Sequence, residues 1–423
     1  MSAGEHPQGA GPGGAGAHGA RREAAGPADA PGRFIHLDGR TYLFFSGYSY
    51  LGMSHVPAFT ELLKEGIDRY GVVFPSSRVS NTPLPLYRHL EHYLSQLTGS
   101  EATVSFASGY LACQAVGHLL ADAGEVLVAP GTHPATGLGR SAHAAGGTGA
   151  SGGAGASGAH AAGDGHAADP AAAPAYDAWC AWVLRHTRSS AARAFVLVMD
   201  SVAPLEGSVH NFMFLQDLPR DKRFIVVIDD SHGIGWMGEH GEGISGALMR
   251  LPHVEYVLVY SLSKALHVQG GAVGCTQRMA ERLRRSPFYT AATAMAPCFA
   301  HALLQAGPLY EVQRTLLARN VAALTRMAEG TGLVPTRTPV FLWGNPPSEG
   351  QAPRSADGVP RDADGAPQGL GAYLKSEGIL ISSFAYPDPE GPPVERVVVS
   401  ALHQEEDMKM LAGRLLFFPP SLH

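Results

Sequence analysis

Five short apolar runs, each stopping on polar or turn residues and most set apart from the next by helix-length sequence, constrain this chain more than any other feature. Val104-Ser105-Phe106 passes through Ser108-Gly109-Tyr110 into Leu111-Ala112. Val126-Leu127-Val128-Ala129 leads to Pro130-Gly131-Thr132-His133, and Phe195–Met199 leads to Asp200-Ser201. Phe224–Ile228 ends on Asp229-Asp230-Ser231-His232, and Val257-Leu258-Val259 runs into Tyr260-Ser261-Leu262-Ser263-Lys264. Such runs read as strands buried on both faces. Strands alternating with helices predict an α/β fold, a mostly parallel central sheet flanked by helices. After about Pro297 the pattern changes to a long helical run from Phe299 through Ala328. A shorter α+β segment with Gly378-Ile379-Leu380-Ile381 and Arg396–Val399 then predicts a smaller C-terminal domain.

With 423 residues, two domains are expected. Residues 1–31 are rich in Gly, Ala and Pro without periodicity and read as a disordered tail. Residues 32–297 are expected to form the larger domain, with a low-complexity insertion at 139–174. Residues 298–423 form the smaller one, with a low-complexity loop at 346–369. His143, His160 and His166 lie in the first insertion with no spacing that fixes a coordination geometry, so no metal site is expected.

The strand ends carry the chemistry. Ligands of open α/β sheets bind outside the carboxyl ends of the strands. Here an amine, Lys264, follows one strand and a carboxylate, Asp229, ends another. A lysine after a strand is ordinarily a solvated surface residue, and an aspartate there is ordinarily a turn residue. Together they supply what pyridoxal 5'-phosphate (PLP) requires: an amine to form the imine and a carboxylate to keep the pyridine nitrogen protonated. Ser261 and Ser263 could hold a phosphate, and Gly270-Gly271 follow.

Composition narrows the setting. Hydrophobic residues make up 45%, enough for a sizeable core, and the net charge of -6 gives no reason to expect nucleic acid or an anionic membrane as partner. Cys113, Cys180, Cys275 and Cys298 are scattered, with no CxxC pair and no disulfide framework. No basic start precedes an apolar core, and no apolar run reaches spanning length. A soluble cytoplasmic protein is expected.

Tyr50-Leu51-Gly52, Ser76-Ser77-Arg78, Leu90-Glu91, Ser108-Gly109-Tyr110, Asp229 to His232 and Ser261 to Leu266 occur in an order and spacing that resemble the fold-type I PLP enzymes. Within that class I/II aminotransferase superfamily, the chain is most similar to the α-oxoamine synthase group. That group includes the 8-amino-7-oxononanoate and serine palmitoyl synthases and condenses an amino acid with an acyl-CoA. The resemblance runs from about Phe45 to Leu415 and implies the PLP-dependent transferase (aspartate aminotransferase-like) fold. It implies that Lys264 holds the cofactor as an internal aldimine and then removes the substrate's α-proton to give a quinonoid. It also implies that Asp229 pairs with the pyridinium nitrogen, that His232 bonds the ring's phenolic oxygen, and that His133 lies over the ring face. Phosphate contacts fall to the amides of Gly109 and Tyr110 and to Ser261, with Thr293 reaching in from a neighbouring subunit. A homodimer is implied.

Several positions depart from that group. Tyr48 and Ser49 occupy the stretch where an asparagine usually contacts substrate, and Tyr87 stands where a histidine is common. Pro204 replaces a serine that supports the phenolic oxygen. The carboxylate-gripping arginine falls near Phe384 or Ala385, and a guanidinium fork has no neutral equivalent. Either Arg78 or Arg396 takes the carboxylate, or the substrate is not an ordinary α-amino acid; both arginines could equally serve structural ion pairs. Three functions follow: a C-acyltransferase first, an aminotransferase or lyase with a non-standard substrate second, and a non-catalytic PLP-binding regulatory module last.

Overall fold

A computed structural model describes residues 30–138, 173–203, 205–334, 336–344, 369–385 and 393–418. The expected tail, both low-complexity stretches and Pro204 lie almost wholly or entirely outside them. So do His143, His160 and His166.

The described chain opens with β1 (Phe34–Leu37) and β2 (Arg40–Phe45), then α1 (Pro57–Tyr70) and α2 (Pro85–Thr98). Proline stands first in both helices, where its missing N–H costs nothing. The alternating part follows: β3 (Ala102–Phe106), α3 (Gly109–Leu120), β4 (Glu125–Val128), α4 (Ala173–Ser189) and β5 (Ala194–Asp200). A small hairpin of β6 (Val202–Ala203) and β7 (Ser208–Val209) precedes β8 (Arg223–Asp229), β9 (Val254–Ser261) and β10 (Gly271–Cys275). Then come α5 (Gln277–Arg285), α6 (Pro287–Thr290), α7 (Pro297–Gln305) and α8 (Gly307–Met327). The chain closes with β11 (Val340–Leu342), α9 (Leu370–Ser376), β12 (Ile379–Ala385), β13 (Pro393–Val398) and α10 (Glu405–Leu416).

The central sheet has the order β3-β10-β9-β8-β5-β4. β4, β5, β8 and β9 are parallel neighbours, whereas β10 runs antiparallel to both β9 and β3. All five apolar runs are strands of it. Their side chains alternate between two buried faces, as a period of two demands. Phe195, Leu197, Met199, Val226, Ile228 and Leu258 pack into one core. Val196, Val198, Val227, Val257, Val259 and Val273 pack against α3 and α5 in the other. The strand β10 was not foreseen, and in it Gly271 pairs with both Ser261 and Phe106.

Two expectations change. The helical run from Phe299 to Ala328 is two helices, because Gly307-Pro308 interrupts it and proline cannot donate to the preceding turn. The residues 34–45, assigned on sequence to the larger domain, belong to a second sheet of order β1-β2-β12-β13-β11. Leu43 and Phe45 are buried there, with β2 parallel to β12. Local alternation shows that a strand exists but not which sheet receives it. Among the described residues no helix is long and apolar enough to cross a membrane.

Candidate active site

Parallel pairing puts Asp200 beside Asp229, at the carboxyl ends of β5 and β8. Lys264 lies just beyond β9, in a loop held shut by Leu262 N–H donating to Gly270 O (3.0 Å) and Val268 N–H donating to Leu262 O (3.1 Å). Leu262, Ala265, Leu266 and Val268 anchor that loop in the core, and Tyr310 Oη donates to Leu266 O at 2.7 Å. Burial pushes the Lys264 ammonium below its ordinary value, while Asp229 and Asp200 pull it back up. Asp229 Oδ1 accepts from Ser231 N–H at 2.9 Å, and Cys113 Sγ lies 3.7 Å from Oδ2. Burial, followed by repulsion from Asp229, pushes Asp200 well above the usual carboxylate range. Asp200 accepts the backbone N–H of His133 at 3.1 Å, which ties the His133 loop to the end of β5.

His232 lies in an aromatic surround. Its Nδ1 is 2.9 Å from Tyr50 Oη, and the Tyr48 ring meets it edge-on with centroids 4.9 Å apart. Burial and then the positive charge of Lys264 hold His232 well below the ordinary histidine value, so it is neutral. Trp236 Nε1 donates to the His232 carbonyl.

A third group of residues forms a tight cradle. Ser108 caps α3, its hydroxyl accepting from Leu111 N–H at 3.2 Å. The amides of Gly109 and Tyr110, at the first two positions, have no acceptor within the helix. A Cβ on Gly109 would lie 2.6 Å from Ser261 Cβ and 2.8 Å from Ser261 Cα, so only glycine permits this approach. A Cβ on Gly271 would in turn meet Ser108 O at 2.3 Å. Ser261 N–H donates to Ser231 Oγ at 2.8 Å, and the Ser261 and Ser263 hydroxyls are 2.9 Å apart.

Lys264, Asp229, His232, His133, Ser261, Gly109 and Tyr110 thus converge on the carboxyl end of the sheet. Thr293 is exposed in the segment between α6 and α7. The two candidate arginines separate. Arg78 is buried in a structural cluster, 2.7 Å from Glu91, bonded to Ser105 Oγ at 3.0 Å and lying against the Tyr87 and Tyr289 rings. Arg396, on β13, reaches Tyr48 Oη at 3.5 Å, and its charge is felt at His232 and Tyr50. Sequence reasoning did not single out Asp200 or the hydroxyl of Tyr50. Asp200 had a signal: like Asp229, it is an aspartate closing a buried strand. A cavity of about 740 Å³ lined in part by Arg223, Arg250 and Arg278 opens at the opposite end of the sheet, so the site is located by its side-chain chemistry rather than by volume.

Residues 180–415 match the family described as Aminotransferase class I and II. The chain belongs to that family. This class I/II aminotransferase-family chain is 26% identical over 385 residues to the 8-amino-7-oxononanoate synthase of Nitrosomonas europaea, covering 90% of each. It is 29% identical over 383 residues to a putative 8-amino-7-oxononanoate synthase of Caulobacter sp., covering 90% of this chain and 89% of the other. Among solved structures, a serine palmitoyltransferase from S. paucimobilis superposes with a TM-score of 0.68 at 16% identity, covering 91% of this chain and 89% of that one. The 8-amino-7-oxononanoate synthase of Francisella tularensis superposes at 0.60 and 16% identity, covering 89% and 97%. These structures establish the fold expected for fold-type I PLP enzymes, and the family is one of PLP-dependent transferases.

Proposed function

We propose that this chain is a PLP-dependent C-acyltransferase that condenses an amino acid with an acyl-CoA. The observation that carries the reading is an enclosed amine of lowered pKa, Lys264, facing the carboxylate of Asp229 across the strand ends. The residues fit the cofactor. The donor set has an amine for its aldehyde, a carboxylate for its ring nitrogen and a neutral imidazole for its phenolic oxygen. The cradle at Gly109 is one that a Cβ would fill.

Bound there, PLP supplies an electron sink for the pair left on the substrate's α-carbon. Lys264, its pKa lowered by burial, takes the proton from that carbon. Asp229 keeps a proton on the ring nitrogen, and its own position is fixed by the Ser231 amide. Burial pushes the Tyr50 phenol up, so Tyr50 stays neutral, and we assign its proton to the bond with Nδ1 of neutral His232. This assigns the imidazole proton to Nε2, which makes that nitrogen the donor to the phenolic oxygen. Gly109, Tyr110 and Ser261 hold the phosphate at the helix start. Exposed His133, steadied by Asp200, covers the ring face.

Arg396 rather than Arg78 takes the substrate carboxylate, since Arg78 is committed to Glu91. A homodimer places Thr293 of one subunit at the phosphate of the other. The chain divides into a larger cofactor domain and a smaller one that takes in residues 34–45 as well as 298–423. Incubation of the holoenzyme with pairs of amino acid and acyl-CoA should release free thiol; no release with any pair across a broad panel refutes acyl transfer. Phe384 and Ala385, standing where a carboxylate arginine was expected, favour transamination as the second reading. Its mark is conversion of the cofactor to its amine form by an amino acid alone.

A further inference from the structure

Asp229 and Asp230 are consecutive, and a strand turns consecutive side chains to opposite faces. Asp229 lies on the α3 side, near Cys113, so Asp230 is carried into the other core, where it has no exposure at all. A buried carboxyl is costly unless its oxygens are bonded, and these are. Oδ1 is bonded to Ser201 Oγ, just past β5, and Oδ2 accepts from Ile244 N–H at 2.9 Å. Burial pushes the group up to about 8, so at neutral pH it is mostly an uncharged acid.

Those bonds close a loop. Residues 230–244 leave the end of β8 and return to it, with Gly235 N–H donating to Gly241 O at 2.7 Å and Gly243 N–H to Met237 O at 2.9 Å. His232 lies in the first turn, where Asp230 O accepts from Gly233 N–H and Ile234 N–H, both at 3.0 Å. Trp236, in the same loop, donates from Nε1 to the His232 carbonyl. The Asp230 carboxyl is wedged between the two ends of the loop: a Cβ on Gly233 would collide with Oδ1, and one on Gly243 with Oδ2. Gly233 is the immediate neighbour of His232, so a retreat of the carboxyl opens space directly behind that histidine's backbone. From this we infer that Asp230 is a positioning residue: its carboxyl pins the 230–244 loop so that the His232 imidazole meets the phenolic oxygen of the cofactor. Tyr50 fixes one ring nitrogen and Asp230 fixes the backbone that carries the ring; a donor needs both, because a hydrogen bond weakens steeply with misalignment. The inference rests on the PLP reading and on the role given there to His232.

The test is a pH titration of the visible aldimine band of the PLP-loaded protein. A donor on the phenolic oxygen competes with the imine proton that shares it, so losing the donor raises the pH at which that proton leaves. His232→Ala calibrates the effect, and Asp230→Ala should raise the midpoint in the same direction by about one pH unit, a tenfold change. Asp230→Asn keeps the shape of an uncharged acid, with one acceptor and one donor, and should titrate as the wild type. Asp230→Ala combined with His232→Ala should titrate as His232→Ala alone, because both act on one bond. If Asp230→Ala does not fold, Ser201→Ala takes its place; it removes a single bond, leaves the carboxyl, and should move the midpoint by a smaller amount. Either protein melting lower yet titrating as the wild type overturns the positioning role and leaves Asp230 to the fold. A shift in Asp230→Asn equal to that in Asp230→Ala overturns it too, since the two bonds would not be what holds the loop. A midpoint unmoved by His232→Ala overturns the role given to His232 and the inference with it, and a wild type without any band refutes the cofactor reading itself.

Discussion

Replacing Gly109 by alanine tests the cradle at its narrowest point. The added carbon would sit 2.6 Å from Ser261 Cβ and 2.8 Å from Ser261 Cα. Ordinary carbon contacts lie at about 3.5–4.0 Å, so one partner must retreat by roughly 1 Å. The Ser261 side chain cannot rotate its own backbone away, so the retreat has to separate α3 from the end of β9. Overpacking of this kind costs about 1–3 kcal/mol. Part of that falls on the fold and part on the phosphate contacts, whose geometry depends on the same spacing. Gly109→Ala should therefore melt several degrees lower and bind PLP about ten- to a hundredfold more weakly, measured by titrating apoprotein. Adding Ser261→Gly removes the nearest atom and should restore part of the melting temperature, though the crowding against the backbone of residue 261 remains. A single Gly109→Ala protein with unchanged melting temperature and unchanged PLP affinity would refute the argument that close approach builds this site.

Lys264→Ala should abolish the visible aldimine band of the PLP-treated protein without lowering its melting temperature, because an amine whose charge is disfavoured by burial does not stabilise the fold. An aldimine band that persists means another amine holds the aldehyde. Arg78→Met should cost towards the lower end of about 3–5 kcal/mol by urea unfolding, since Arg284, 3.1 Å from Glu91, still offsets part of the buried charge. A change in amino-substrate affinity without that loss would assign Arg78 to the substrate instead. His403 is stacked on Phe45 with centroids 4.1 Å apart, and burial pushes it down from 6.5 to about 4. Its neutral form is the one the fold accepts, so its contribution is complete above pH 6.5 and is lost as pH falls towards 4. That contribution is about 3 kcal/mol. Urea midpoints should fall over that window and fall less in His403→Gln; equal slopes would dismiss His403 as a source.

Much of the central sheet was legible because its strands are buried on both faces, and continuous apolar runs ending on Asp, Ser or Gly mark such strands directly. The positions of Lys264, Asp229 and His232 were legible for the same reason: each lies at or just beyond a strand end that the pattern locates. The second sheet was hidden, since β2 and β12 pair across most of the chain and each looks locally like any short strand. The strand β10 went unread because glycine serves both loops and close packing, and only the approach of Ser108 to Gly271 distinguishes them. The separation of Arg78 from Arg396 could not be read either, because an arginine's partner is chosen by tertiary packing. Thr293 stays a proposal that needs a neighbouring subunit.

The contact between Tyr48 and Arg396 joins residues 348 positions apart. A ribosome releases the first long before it has made the second, and β2 waits the same interval for β12. On the proposed reading, the substrate end of the pocket is completed only once β13 has been made. A chain cut short before β13 would still contain all six strands of the central sheet and, on that reading, the cofactor cradle, yet lack the arginine that engages an amino acid.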